Sequence, residues 1–489
     1  MQRRNEDQRK WSDLLRKVDE ALGSPSDLIC RTVLMEEDQT VHCMYLESLA
    51  DKTVIDDYVL KALMEGTFLE VEQSGVTGNH FVQDYSFSSA RPEELLQQAV
   101  DALLAGQCVL ADSAMDRIRL IHAVSLNHRQ IEEPKSESTV RGPHEGFTEN
   151  IDMNVGLIRK RLRNPRLRFE KLSIGDQTRT TVMLAYLDSV APTFLVREAR
   201  QRLLAIRTGS VLESAYIEEY IQDQIWSPFP TMTNTEKPDV VTAHLLEGKV
   251  AVLVDGTPSA LLAPMTFFEF FSSPEDYYQR ADIATFIRWI RLFSFFIAVF
   301  VPSMYVAVTT FHQELLPTQL LINISAQREG VPLPSLTEVL LMETVFEIIR
   351  EAGLRMPRAI GQALSIVGAI VLGQAAVEAG LISAAIVIVV AITGIANFVV
   401  PTYSFGISQR LIRFSFVLLA GLMGLFGILC GLLFLIAHLI SLKSFGVPYL
   451  APAVPVSFSD WKDIFVRVPR PWMNAGSLPR FMQRLKGKK

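Results

Sequence analysis

From about Asp282 to Ser441 the chain is built from long stretches that carry no charge. Leu292–Phe311 is uncharged for twenty residues with Pro302 in mid-run, Ala359–Val377 for nineteen, Leu381–Val400 for twenty and Phe414–Ala437 for twenty-four. An apolar run of this length crosses a hydrocarbon core of about 30 Å, and the longest would make a helix of about 36 Å. The turn Glu378-Ala379-Gly380 between the second and third runs is short enough to force a helical hairpin. The mean hydropathy of +0.23 over 489 residues fits a chain that is part membrane and part water-soluble.

The part before Asp282 reads as mixed α/β. "ARPEELLQQAVDALLAGQ" has helical periodicity with a glycine stop, while Thr180–Asp188 and Lys249–Pro258 read as strands, the second ending in an Asp-Gly turn. A Pro-, Gly-, Ser- and charge-rich segment places a boundary near residues 132–146. The expected plan is a polar segment 1–23, an α/β subdomain 24–131, the linker 132–146 and a second α/β subdomain 147–285. A helical membrane domain 286–442 and a basic tail 443–489 follow. The fold class is thus an N-terminal α/β region of two subdomains and an all-α polytopic domain of four to five helices.

The first twenty residues are too charged for a secretory signal, which places the N-terminal region in the cytoplasm. The tail holds nine Lys or Arg against Asp460 and Asp463, and Arg288 and Arg291 precede the first run, so both flanks favour the cytoplasmic side. Four spans satisfy both but leave Arg350, Arg355, Arg358, Arg410 and Arg413 outside. A fifth span brings these inside and exports the tail. Each topology breaks the positive-inside rule once; four is the reading adopted.

Enzyme signatures are missing. No GxGxxG follows a strand, and there is no GxxxxGK[ST], HExxH or GxSxG. The eight histidines and four cysteines show no ligand spacing, so no catalytic residue, metal or cofactor is expected. A net charge of −6 gives no case for nucleic acid. "RKRLRNPRLRFE", Arg159 to Glu170, reads mainly as a solvated helix end broken at Asn164-Pro165, with a lipid or partner patch as the alternative.

Three features of the apolar region carry candidate sites. Gly421, Gly424, Gly427 and Gly431 line one face of the last run, the pattern of close helix packing. Gly361, Ser365 and Gly368 share a small-residue face with Leu372 as its one bulky member. That face is either packing or, in an oligomer, a pore lining with Leu372 as a hydrophobic gate. In "EVLLMETVFEIIREAGLRMPR", Ser335 and Glu338 form a capping box. Beyond it Glu343, Glu347, Arg350 and Glu351 lie within an arc of roughly 100° opposite an apolar face. The helix read as Leu336–Ala352 would be about 25 Å long, short for a span. Its acidic face, Glu343, Glu347 and Glu351, reads either as an ion vestibule or as a face satisfied by basic residues of a neighbouring chain.

The blocks "VRGPHEGFTENIDMNVGLIRKRLRNPRL", "SPFPTMTNTEKPD", "LLEGKVAVLVDGTPSALLAPMTFFEFFSSPEDYY", "PLPSLTEVLLMETVFEIIREAGLRMP" and "IGQALSIVGAIVLGQAAVEAGLISAAIVIVV" closely resemble the GerA family. These are the A subunits of spore germinant receptors, and the resemblance runs from about Ser24 to Pro455. It implies a multi-pass protein of the spore's inner membrane, in a complex with a transporter-like B subunit and a lipoprotein C subunit. Such a complex senses small nutrients and triggers release of ions and dipicolinic acid. It further implies a homo-oligomer in contact with membrane lipids, with the A subunit acting as a ligand-gated ion channel. The other reading is a non-conducting signalling scaffold for the transporter-like partner.

Overall fold

The computed structural model describes residues 13–35, 39–64, 82–86, 92–112, 117–123, 133–134, 137, 141–355, 373–454, 456 and 460–472. They divide into two compact units, the described residues up to 222 and those of 234–264 in the first, and 223–233 and those from 265 to 472 in the second. The chain therefore leaves the first unit at residue 223, returns at 234 and leaves again at 265.

The first unit holds two five-stranded sheets. Strands β1 (Leu28–Met35), β2 (Gln39–Leu46), β3 (Val82–Ser86), β4 (Cys108–Asp112) and β5 (Arg117–Ile121) form one, ordered β1-β2-β4-β5-β3 and antiparallel throughout. Strand alternation gives β2 two faces. Met44 and Leu46 join Leu14, Val18 and Leu22 and the helix Pro92–Leu104 on one side. Val41, Cys43 and Tyr45 pack with Ile55, Val59 and Leu63 on the other. The predicted 92–104 helix ends as expected, with Gly106 at φ +81°.

The second sheet takes β6 (Leu167–Ile174), β7 (Thr180–Leu187), β8 (Thr233–Thr235), β9 (Val250–Val254) and β10 (Ala260–Ala263), ordered β6-β7-β9-β10-β8. Both strands read from the sequence are present, and Gly256 at φ +85° makes the Asp-Gly turn. Helices Ile151–Arg161 and Pro238–Leu246 supply Val155, Ile158, Val241 and Leu245 to one face.

The two subdomains are joined by a buried clasp. Arg159 Nε and Nη2 donate to Asp27 Oδ2 and Oδ1, each at 2.7 Å, with Arg159 1 % exposed and Asp27 also holding the Ser48 hydroxyl at 2.6 Å. Beside it Gly156 lets its helix approach Ser48 so closely that a Cβ would collide with the Ser48 carbonyl. The basic run is thus only partly a solvated helix end: Lys160, Arg163 and Arg166 are exposed. Arg159 is consumed here, Arg161 by Glu145 at 2.6 Å, and Arg168 by the carbonyls of Leu22 and Pro165.

The second unit is helical. Two of its helices are long and apolar enough to cross a membrane, Ala281–Thr310 (α1) and Tyr403–Ser441 (α4). Between them lie Ser335–Arg355 (α2) and Ala384–Phe398 (α3). At α1 the buried positions 284, 288, 291, 295, 298, 302, 306 and 309 recur with helical spacing, so one face is packed along about 45 Å. α3 is shorter than its apolar run, because Ser383 precedes its first turn and Pro401 disfavours helix in the residue before it.

The last apolar run is not one span. Gly424 breaks α4 with φ 61° and ψ −141°, a conformation open to glycine and closed to other residues. The two arms, 403–423 and 425–441, fold back on each other. A Cβ on Gly427 would strike the Leu419 carbonyl, and one on Gly431 would lie 2.8 Å from Leu419 Cδ1. Phe405 and His438 both have ring centroids within 6.3 Å of Phe229. In a continuous helix those two residues would stand about 50 Å apart. The arms are about 31 and 26 Å long, each near the thickness of a bilayer core.

An aromatic cluster of Phe229, Phe267, Phe270, Phe271, Phe295, Phe405 and Tyr449 closes the open end of the hairpin, away from Gly424. Segment 223–233 straps both arms at this end. Pro228 accepts from the Ser408 hydroxyl, and Ser227 Oγ lies 3.0 Å from His438 Nε2. Pro230 accepts from Tyr449 at 2.9 Å and Thr231 from Ser444 at 2.6 Å.

Candidate functional site: a buried ion-pair ladder among apolar helices

α2 runs 21 residues, about 31 Å, and is longer than the sequence suggested. The Glu351–Arg355 pair, at 2.8 Å and four residues apart, carries the helix past Gly353. α2 lies antiparallel to the first arm of α4: Leu336 packs on Gly421, Glu343 meets Arg413 and Glu347 meets Arg410. Positions 343, 347 and 350 share one face of α2, and 410 and 413 share one face of α4. Five charges therefore converge between two apolar helices.

Glu343 Oε2 lies 2.7 Å from Arg413 Nη2, with the residues 1 % and 2 % exposed. The approach lacks the alignment of a hydrogen bond, and both Glu343 oxygens and Arg413 Nε and Nη2 are buried without a hydrogen-bond partner. Glu347 pairs with Arg410 and stands 3.9 Å from Arg350. With the Asn397 amide turned to present its oxygen, Arg350 donates to it at 2.8 and 3.0 Å while lying over the Phe398 ring at 4.6 Å. One turn from the start of α2, fully buried Glu338 accepts from the Ser383 hydroxyl at 3.2 Å and stands 3.8 Å from Arg328. Its carboxylate bridges to the head of α3 and does not serve as the expected capping box. Ser335, for its part, accepts from the Thr309 hydroxyl at 3.2 Å.

Such a ladder adds little stability. Removing two ions from water costs several kcal/mol each, and their attraction offsets this only when the remaining lone pairs and protons are satisfied. Here several are not, and a buried polar group left short of partners in a native fold needs an explanation beyond stability. An element held by weakly compensated buried charges has a second arrangement within reach, which is what a switch requires.

The acidic face is therefore occupied from within the chain. Glu343 and Glu347 are held by Arg413 and Arg410, and Glu351 is exposed and paired with Arg355, so the chain presents no open row of carboxylates. Gly361, Ser365, Gly368 and Leu372 lie outside the described residues. Gly421 faces Leu336 and Gly431 faces Leu419 and Phe416, while Gly424 and Gly427 make the hairpin. The arginine partners were in view in the sequence only as flanking charges. Their spacing of three matches the spacing of four between Glu343 and Glu347 on an antiparallel neighbour, and that is the signal that could have paired them. Among the described residues no group of three His, Cys, Asp or Glu could hold a metal ion.

The fold defines a protein with an α/β region of two sheets followed by a helical unit in which two helices are long and apolar enough to cross a membrane. The chain belongs to the GerA family: the model of the Bacillus/Clostridium GerA spore germination protein matches residues 16–477. It is 43 % identical to spore germination protein KA of Bacillus subtilis (strain 168) over 455 residues, 92 % of this chain and 82 % of that one. It is 40 % identical to the uncharacterized membrane protein YfkQ of the same organism over 446 residues, 91 % and 86 % of the two chains. Among solved structures, the crystal structure of the N-terminal domain of the A subunit of the Bacillus megaterium spore germinant receptor GerK3 is 31 % identical. It covers 52 % of this chain and 94 % of its own, with a TM-score of 0.38.

Proposed function

We propose that the chain is the A subunit of a nutrient germinant receptor in the inner membrane of the spore. It works with a transporter-like B subunit and a lipoprotein C subunit, turns nutrient sensing into ion release, and keeps its α/β region in the cytoplasm. The observation that carries this reading is the family match across both units, apolar helices included.

The hairpin supports a topology in which the positive-inside conflict does not arise. The first arm of α4 runs parallel to α1, with Phe295 against Phe405 at 5.6 Å and Phe300 against Phe416 at 4.9 Å. The second arm returns to the aromatic cluster. Arg288 and Arg291 at the start of α1, Arg410 in the first half of the first arm, Lys443 and Arg467 then lie toward one end, as the positive-inside rule asks, while Arg413 at mid-arm is held by Glu343.

Conduction requires several copies, because one chain offers too few helices to enclose a pore. In an oligomer the ladder is the element whose opening rearranges α2 and α4 against each other. Segment 223–233 is the covalent route by which the α/β region bears on both arms of α4. The non-conducting scaffold keeps support of its own, since the carboxylates that would select cations are neutralised inside the chain. Potassium flux from liposomes holding the purified A, B and C subunits separates the two. Nutrient-dependent flux supports the channel; nutrient binding without flux supports the scaffold.

A further inference from the structure

At the start of α1 a second group of buried charges does not balance. Asp276 and Arg288 are 2 % and 3 % exposed, and Asp276 is held by Arg288 Nε at 2.8 Å and by Arg291 Nη1 at 2.8 and 2.9 Å. Arg288 Nη1 also donates to the carbonyl of Asp463, and the Asp463 carboxylate accepts from Tyr277 at 2.9 Å. Arg467 is 6 % exposed, and its guanidinium stands 5.8 Å from the centre of the Tyr277 ring, with Arg288 at 5.4 Å from the same ring. Three guanidinium groups thus share two carboxylates. Arg288 Nη2 and Arg467 Nε are buried and have no hydrogen-bond partner. Residues 464–489 contain no Asp or Glu side chain that could make up the difference.

A buried arginine cannot shed its proton, so surplus positive charge there calls for an anion. The surroundings state which kind. Arg288 forms one wall of a shallow cleft open to the surface, whose other walls are Phe268, Phe271, Trp289, Leu292, Ile464 and Phe465. The cleft lies beside the outward face of an apolar helix, where Phe286, Trp289, Ile290 and Phe293 are exposed. Guanidinium donors beside an aromatic groove at the foot of a spanning helix match a phosphate with hydrocarbon attached.

We propose that this cleft binds one anionic phospholipid. Its headgroup phosphate lies at the mouth of the cleft and draws the guanidinium groups of Arg288 and Arg467 toward it, and an acyl chain lies along Phe268, Trp289, Leu292 and Phe465. The inference rests on the membrane reading above, which is checked separately by whether the chain needs detergent to leave the membrane fraction.

The test is native mass spectrometry of the full chain, purified and delipidated in detergent. It is then offered phosphatidylglycerol, phosphatidylcholine or inorganic phosphate. The expected result is one phosphatidylglycerol retained per chain, preferred about tenfold over phosphatidylcholine and not displaced by millimolar phosphate. Arg467→Gln, which leaves the Asp276 pairs intact, should lower retention about tenfold, and Arg467→Lys should restore most of it. Equal retention of phosphatidylcholine, displacement by inorganic phosphate, or unchanged retention in Arg467→Gln would each overturn the proposal. If Arg467→Gln does not fold, phosphatidylglycerol with a photoreactive acyl chain decides on the wild type. Adducts concentrated at 268–292 and 464–467 support the site; adducts spread evenly along the apolar helices overturn it.

Discussion

Glu343 and Arg413, seventy residues apart in sequence, meet at 2.7 Å between two apolar helices, and neither makes a well-aligned hydrogen bond there. The cost of breaking the pair depends on which partner goes. Glu343→Gln leaves a buried arginine that cannot neutralise itself and should destabilise the helical unit by about 3–5 kcal/mol. Arg413→Met should be milder, because a lone glutamate can take up a proton. Thermal unfolding of the detergent-purified chain reads the order; equal losses would mean the pair is not sealed from water.

Gly424 turns the last apolar run into a hairpin, so distance measurement checks it directly. Spin labels on Tyr403→Cys and Ile440→Cys, both exposed, should lie within about 25 Å, against about 55 Å in a continuous helix. Gly424→Ala puts a Cβ 2.7 Å from His312 Cε1 in a backbone conformation alanine avoids. It should lower stability by about 1–3 kcal/mol and reduce the amount of protein in the membrane.

The Asp27–Arg159 clasp ties the two α/β subdomains through fully buried charge. Arg159→Met strands Asp27, which can take up a proton, and should cost about 2–3 kcal/mol, read as faster proteolysis between residues 122 and 150. A cleavage rate unchanged from wild type would show that apolar packing alone holds the subdomains.

Acid should act on β6. Burial pushes the Glu170 carboxyl up, but the Arg200 fork and the Tyr186 hydroxyl, at 2.6 Å, outweigh it and hold the group below the usual glutamate range. Its contribution is therefore complete at neutral pH and is lost as pH falls below the ordinary value, near 4.3. Because Arg200 is 40 % exposed, the effect is modest, about 1 kcal/mol or less. Glu170→Gln should be slightly less stable at pH 7 and show a shallower acid limb in thermal unfolding.

The sequence declared its local features well and its long-range ones poorly. The helix 92–104, the strands β7 and β9 and the acidic face of α2 each follow from periodicity within one element. The hairpin hid behind glycine spacing that equally describes packing, since nothing within residues 414–437 says that Gly424 takes positive φ. The ladder hid for a related reason. Arg410 and Arg413 were weighed as flanks of a span, and only the antiparallel placement of α2 against α4 brings them to Glu347 and Glu343. Both topologies counted the last run as a single helix, whereas Gly424 folds it into two arms.

A buried ladder that serves ion release and not stability can lose both charges without loss of the fold. Glu343→Leu with Arg413→Met removes both charges while keeping apolar volume, so the chain should accumulate at wild-type level or above. Nutrient-triggered potassium release from spores carrying this pair, at matched receptor abundance, is the direct measurement. Loss of the release is the expected result; release with wild-type kinetics would contradict the claim.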